Sequence, residues 1–116
     1  IVLNDHWPDM ANNGFISNRI FDVALSGGLV VSDECAGLQD VFGDLVPTYS
    51  DASTLRSIFL RYYSDLTERN RVVNSLREKV LAEHTFDHRA RAMREIIETM
   101  IYRRNERVKS KPLVYI

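Results

Sequence analysis

Apolar residues change their rhythm about halfway along the chain. In the first half they come in short runs, Ile1-Val2-Leu3, Leu29-Val30-Val31 and Leu45 to Tyr49, each bounded by polar or turn-forming residues. The β-branched run around Val30 has the pattern of a strand covered on both faces in a parallel sheet. Pro47 interrupts the third run and puts that strand near an edge. Between the first two runs, "NDHWPDMANNG" (residues 4 to 14) contains Pro8 and the Asn12-Asn13-Gly14 breaker and predicts a long loop. Residues 17–26 then carry Ile20, Phe21, Val23, Ala24 and Leu25 over more than one side, as expected of a helix wedged against a sheet. Ser17 is its expected N-cap and Gly27-Gly28 its stop. A weaker helical turn is expected through Leu38 to Phe42.

From Asp51 onward the period is helical. Leu55, Ile58, Phe59 and Tyr62 follow the i, i+3, i+4, i+7 rule behind a cap at Ser50 or Asp51. A second helix from about Thr67 repeats the rule with Val73, Leu76 and Val80, and "HTFDH" (residues 84 to 88) breaks it. A last helix from about Asp87 carries Met93, Ile96, Ile97, Met100 and Ile101. All of these stripes are expected in a core. Strands separated by helices, with no hairpin turns, predict an α/β domain. It is read as a partial, parallel-sheet, Rossmann-like three-layer domain with a helix-rich C-terminal half. Three strands are few for a doubly wound sheet, and Ile1 already sits in a strand. The chain is therefore expected to be a piece of a longer protein, with more strands before Ile1. The domain is taken as residues 1–102, and residues 103–116 as a basic tail or linker with a solvated face, carrying Arg103, Arg104, Arg107, Lys109 and Lys111.

Composition narrows the classes. A 116-residue chain that is 45% hydrophobic can build one packed core. Fifteen basic against sixteen acidic residues give a net charge of −1, so no global field favours nucleic acid or an anionic membrane, and any anion site must be local. No apolar run is long enough to cross a bilayer, and no signal-peptide pattern opens the chain. The single Cys35 has no partner for a disulfide or zinc cluster, fits a reducing cytoplasm, and reads as a small buried hydrophobe.

In an open parallel sheet, ligands bind where strands end and helices begin. Residues 4 to 16 form such a loop, and Ser17, Asn18 and Arg19 form such a helix tip. Unpaired N–H groups, a hydroxyl, a side-chain amide and a guanidinium there suit a phosphate. Asp22 stands four residues past Asn18, about 6 Å along the axis on nearly the same face, where a carboxylate can accept the two hydroxyls of a ribose. A simple capped helix with an Arg19–Asp22 surface pair would carry the same residues, and spacing alone favours that plainer reading. Asp5, His6 and Asp9 lie close in sequence but on a loop without preformed ligand geometry, so no metal site is expected, and His6 is a candidate contact to a donor sugar. Trp7 reads as a loop anchor, Asp33 as a cap or turn former that could instead face the cleft, and His84 and His88 as capping or packing groups.

The run "GFISNRIFDVALSGGLVVSD", followed by "AGLQDVFGD", by "YSD" and a helix, and by "HTFDHRA", resembles the C-terminal domain of the two-Rossmann-domain (GT-B type) glycosyltransferases of group 1. The likeness covers about residues 1 to 100 and is greatest to the branch related to spore maturation proteins. The resemblance implies transfer of a sugar from a nucleotide-sugar to an acceptor, with retention and with neither metal nor cofactor. Acceptor contacts would come from an N-terminal domain of the same parent chain, and the piece alone would be inactive. By resemblance the donor diphosphate falls on Phe15, Ile16, Ser17, Asn18 and Arg19, the ribose on Asp22, and the donor-sugar loop on Asp5, His6 and Gly14. No catalytic residue is assigned. Two departures stand out: the family's first acid, eight residues before Asp22, is here Gly14, and the ribose acid is Asp instead of the commoner Glu. The alternative reading is a non-catalytic α/β interaction domain, similar to a receiver module, with Asp5 as its switch.

Overall fold

The first strand, β1 (Val2–Asn4), pairs in parallel with β2 (Val30–Asp33), which pairs in parallel with β3 (Thr48–Tyr49). The computed structural model describes residues 1–109, with side chains described as far as Arg104. Strand order is β1-β2-β3, in register Val2↔Val30, Asn4↔Ser32 and Asp33↔Tyr49. Between and after the strands run α1 (Pro8–Asn12), α2 (Asn18–Leu25), α3 (Ala36–Phe42), a 3-10 turn (Gly43–Leu45), α4 (Ala52–Ser64), α5 (Leu66–Glu83) and α6 (Phe86–Lys109). Residues 1–83 form one compact unit, and a second begins at His84.

Within the first unit the expected Rossmann-like layering is present. Val30 packs on one face of the sheet with Ile20 and Ala24 of α2, Leu38 and Phe42 of α3, and Leu76 and Val80 of α5. Leu29 and Val31 face the other way, onto Tyr62 of α4 and Val72 and Val73 of α5. Alternation along a strand places successive side chains on opposite faces, so an uninterrupted apolar run is what a doubly covered strand needs. Phe21 and Phe42 add a tilted ring contact at 5.3 Å between α2 and α3.

The local signals explain the helix ends. Ser17 caps α2, and its C-terminus closes with paired bonds from Gly28 N–H to the Val23 carbonyl and from Gly27 N–H to the Ala24 carbonyl. Gly27 takes a φ of +75°, the left-handed turn this closure requires. Asp51 caps α4 by accepting the Thr54 N–H at 2.7 Å, and Asp65 does the same for Glu68 at the start of α5.

Several expectations change. The loop after β1 contains α1, a short helix with Pro8 at its first position and no buried residue; with no apolar stripe, nothing in the pattern revealed it. The third strand shrinks to Thr48–Tyr49 because residues 43–45 wind into the 3-10 turn; it does lie at an edge. The Trp7 side chain is not a buried anchor, being 79% exposed. β1 is the other edge strand and leaves Val2 and Leu3 exposed, as is Ile1 before it, which lies outside the strand.

In the second unit, α6 opens on Thr85, whose carbonyl accepts the Arg89 N–H and whose hydroxyl lies 2.7 Å from His88 Nδ1. Its stripe of Met93, Ile96, Ile97, Met100 and Ile101 is exposed, which corrects the expectation that every helical stripe is core. Periodicity marks which face is apolar and carries no information on whether a surface covers it. Arg103 and Arg104 are exposed, whereas the side chains of Arg107, Lys109 and Lys111 lie outside the described residues. Among the described residues no helix is long and apolar enough to cross a membrane.

Candidate functional site at the carboxyl end of the sheet

All three strands end at one edge, and a chain of polar groups ties their ends together. Tyr49 on β3 donates its hydroxyl to the Asn4 carbonyl on β1 (3.3 Å), and Asn4 Nδ2 donates to Ser32 Oγ on β2 (2.9 Å). Ser32 Oγ donates in turn to Asp33 Oδ1 (3.1 Å). Asn4 and Ser32 are essentially fully buried, and Asn4 Oδ1 has no hydrogen-bond partner among the described residues. Burial first, then the charges of Asp33 and Asp5, hold the Tyr49 phenol above its ordinary pKa, so it remains a donor.

Asp33 then grips His6 at two points. Its Oδ2 accepts the His6 backbone N–H at 3.0 Å, and its Oδ1 lies 2.6 Å from His6 Nδ1. On the far side of the ring, Nε2 accepts the backbone N–H of Ser17 at 3.3 Å. A backbone N–H only donates, so Nε2 must present its lone pair and the ring proton must sit on Nδ1. The His6 side chain is 0% exposed. It is therefore turned inward with both nitrogens engaged, and stands behind the helix tip instead of on an open loop.

At the tip, Ser17 Oγ accepts the Arg19 N–H at 3.3 Å, and the Ser17 carbonyl accepts the Ile20 N–H at 3.1 Å. The chain thus satisfies part of the tip itself, while the Ser17 hydroxyl keeps a proton to donate. Asn18, Arg19 and Asp22 are exposed, Phe15 is more than half exposed, and Ile16 packs against the core. The structure therefore brings Ser17, Asn18, Arg19 and Asp22 together on one short helix and leaves the last three accessible.

Gly14 has a packing role that its place in the sequence did not reveal. It takes a φ of +67°, and a Cβ built on Gly37 would collide with the Gly14 carbonyl oxygen. The loop leading to α2 thus lies backbone on backbone against the start of α3. An acid at position 14 would have to adopt this left-handed backbone, a physical reason for glycine at this point.

Asp5 and Asp9 are exposed, and among the described residues no three His, Cys, Asp or Glu side chains are grouped to hold a metal. Cys35 is buried, with Sγ near the carbonyls of Phe15 (3.5 Å) and Ala11 (3.8 Å). A cavity of about 420 Å³ at the same edge is lined by residues including Asn12, Glu34, Gln39 and Thr48, and does not include residues 15–22. The pairing of His6 with Asp33 was missed in the sequence because the two are 27 residues apart. The Asn4↔Ser32 register is what brings them together, and only a known strand pairing would have exposed the signal.

A parallel sheet with helices on both faces, and with polar groups gathered where its strands end, defines an α/β domain of the kind that binds ligands at that edge. Residues 1–95 match the family described as glycosyl transferase-like. The chain belongs to that family, and its role lies in glycosyl transfer. No curated protein and no solved structure matches it.

Proposed function

We propose that this chain is the donor-binding, C-terminal domain of a GT-B type glycosyltransferase of the spore-maturation-related branch, acting on a nucleotide-sugar with retention of configuration. The observation that carries the reading is the exposed set Asn18, Arg19 and Asp22 on the first turns of α2, at the carboxyl end of a parallel sheet. In this reading, residues 15–19 hold the donor diphosphate and Asp22 accepts the ribose hydroxyls. Asp5 and Gly14 border the donor sugar, and His6 supports the loop from behind. An N-terminal domain of the same parent supplies the acceptor side, the reaction takes place in the cytoplasm, and no metal or cofactor takes part.

The physical demand is to stabilise the negative charge that builds on the diphosphate as the sugar–oxygen bond breaks. Pre-oriented N–H donors and a guanidinium meet that demand when they bind the departing diphosphate more strongly than the intact donor. By analogy with oxyanion sites, each such donor lowers the barrier by about 2.7–4 kcal/mol.

Titration of the 116-residue chain with UDP, GDP and ADP, followed by amide NMR shifts, tests the reading. Perturbation centred on residues 14 to 22 is expected. No perturbation at millimolar nucleotide overturns it. Arg19→Ala should weaken diphosphates more than the matching nucleosides, and equal loss for both would remove the phosphate role.

A further inference from the structure

Why does the most buried ionisable pair of the sheet edge point at the back of the α2 tip? Asp33 offers two carboxylate oxygens, and both accept from His6, one from its backbone and one from its ring. The ring's remaining nitrogen accepts from Ser17, the residue that caps α2. The backbone of His6, its ring tautomer and the peptide plane entering Ser17 are thus set by one carboxylate at the end of the central strand. Ser32 and Asn4 brace that carboxylate from the sheet, and Tyr49 extends the brace to the third strand.

We infer that Asp33 and His6 are positioning residues for the donor diphosphate: they fix the Ser17 amide inward and so hold the next groups of the tip, the Ser17 hydroxyl, Asn18 and Arg19, in the orientation that meets phosphate. The inference rests on the donor-binding reading above and adds to it the pair that sets its geometry. The mechanism is one of registration. A helix tip that carries a ligand on one side and is loosely attached on the other loses affinity to every misorientation, and a fixed inner hydrogen bond removes that freedom. The arrangement depends on the tautomer. Only a ring protonated at Nδ1 can donate to Asp33 and accept from Ser17 together.

That dependence separates positioning from mere packing. Asparagine at position 6 can keep the donor to Asp33 and loses the acceptor for Ser17, whereas glutamine can keep the acceptor. Asp33→Asn must turn its amide NH₂ toward one of two His6 donors. Facing the ring, it forces the proton onto Nε2 and sets two donors against each other at Ser17; facing the backbone, it opposes the His6 N–H.

The test measures binding of UDP, GDP and ADP, and of the corresponding nucleosides, to the wild-type chain and to His6→Asn, His6→Gln and Asp33→Asn. Expected is a loss of about tenfold in diphosphate affinity for His6→Asn and Asp33→Asn, the upper end for one hydrogen bond, with His6→Gln held within about threefold and nucleosides unchanged. Equal losses in all three variants, or nucleosides weakened in step, would overturn the inference while wild-type binding at residues 14 to 22 leaves the donor reading standing. A wild-type chain that binds none of the three nucleotides overturns both. Ring-nitrogen NMR shifts of the unmodified protein give a check that needs no variant: the Nδ1–H form of His6 is expected, and an Nε2–H form would refute the assignment.

Discussion

Helices α5 and α6 carry the same kind of apolar stripe and meet opposite fates. Val72, Val73, Leu76 and Val80 of α5 are buried, with Leu76 and Val80 fully so, whereas Met93, Ile96, Ile97, Met100 and Ile101 of α6 are between 48% and 65% exposed. Sequence period reports a face, and the stabilisation comes only when another surface removes that face from water. The α5 stripe contributes to the cores on both faces of the sheet, as the central strand does.

The contrast gives a ranked set of expectations. Leu76→Ala should cost about 2–5 kcal/mol, since it opens a cavity in a site with no exposure, and a denaturant melt showing less than 1 kcal/mol would contradict the packing. Gly37→Ala should cost about 1–3 kcal/mol, because its Cβ must displace the Gly14 backbone instead of a yielding side chain; an unchanged melting temperature would disprove that contact. Ile97→Ala on α6, at a position 48% exposed, should cost less than about 0.5 kcal/mol, and a loss like that of Leu76→Ala would contradict that exposure.

The smallest expected effect depends on pH. The Thr54 N–H, followed by its hydroxyl, holds the Asp51 carboxyl below its ordinary pKa, and the Arg71 guanidinium does the same for Glu68. A carboxyl whose folded pKa is depressed adds stability above its unfolded pKa and loses it as the pH falls through the folded one. Melting temperatures of wild type and Asp51→Asn should therefore differ near neutrality and draw together in acid. A gap that stays constant down to pH 2 would show that the charge of Asp51 contributes nothing.

Ser17, Gly27 and Asp51 act through atoms within five residues of themselves, so the cap of α2, its stop and a cap of α4 at Ser50 or Asp51 were visible along the chain, and the structure chose Asp51. Trp7 reads as an anchor until its surroundings are known, and the start of α3 shows no trace in the sequence of the backbone that lies on it. His6 illustrates the difference most sharply. Its neighbours in sequence suggest an open loop, and its neighbours in space fix both ring nitrogens.

What the sequence alone determined was therefore local or periodic: the parallel α/β class, the doubly covered central strand, and the starts of α2 and α4, together with a resemblance to glycosyltransferases that the family match over residues 1–95 bears out at that general level. The tertiary structure alone decided which stripes are covered, why position 14 is glycine, and that Asp33 reaches His6 and, through it, the tip of α2. Hydrogen-bonded turns and side-chain periods are set by residues a few positions apart, whereas contacts across 27 positions exist only once the strands have chosen their register.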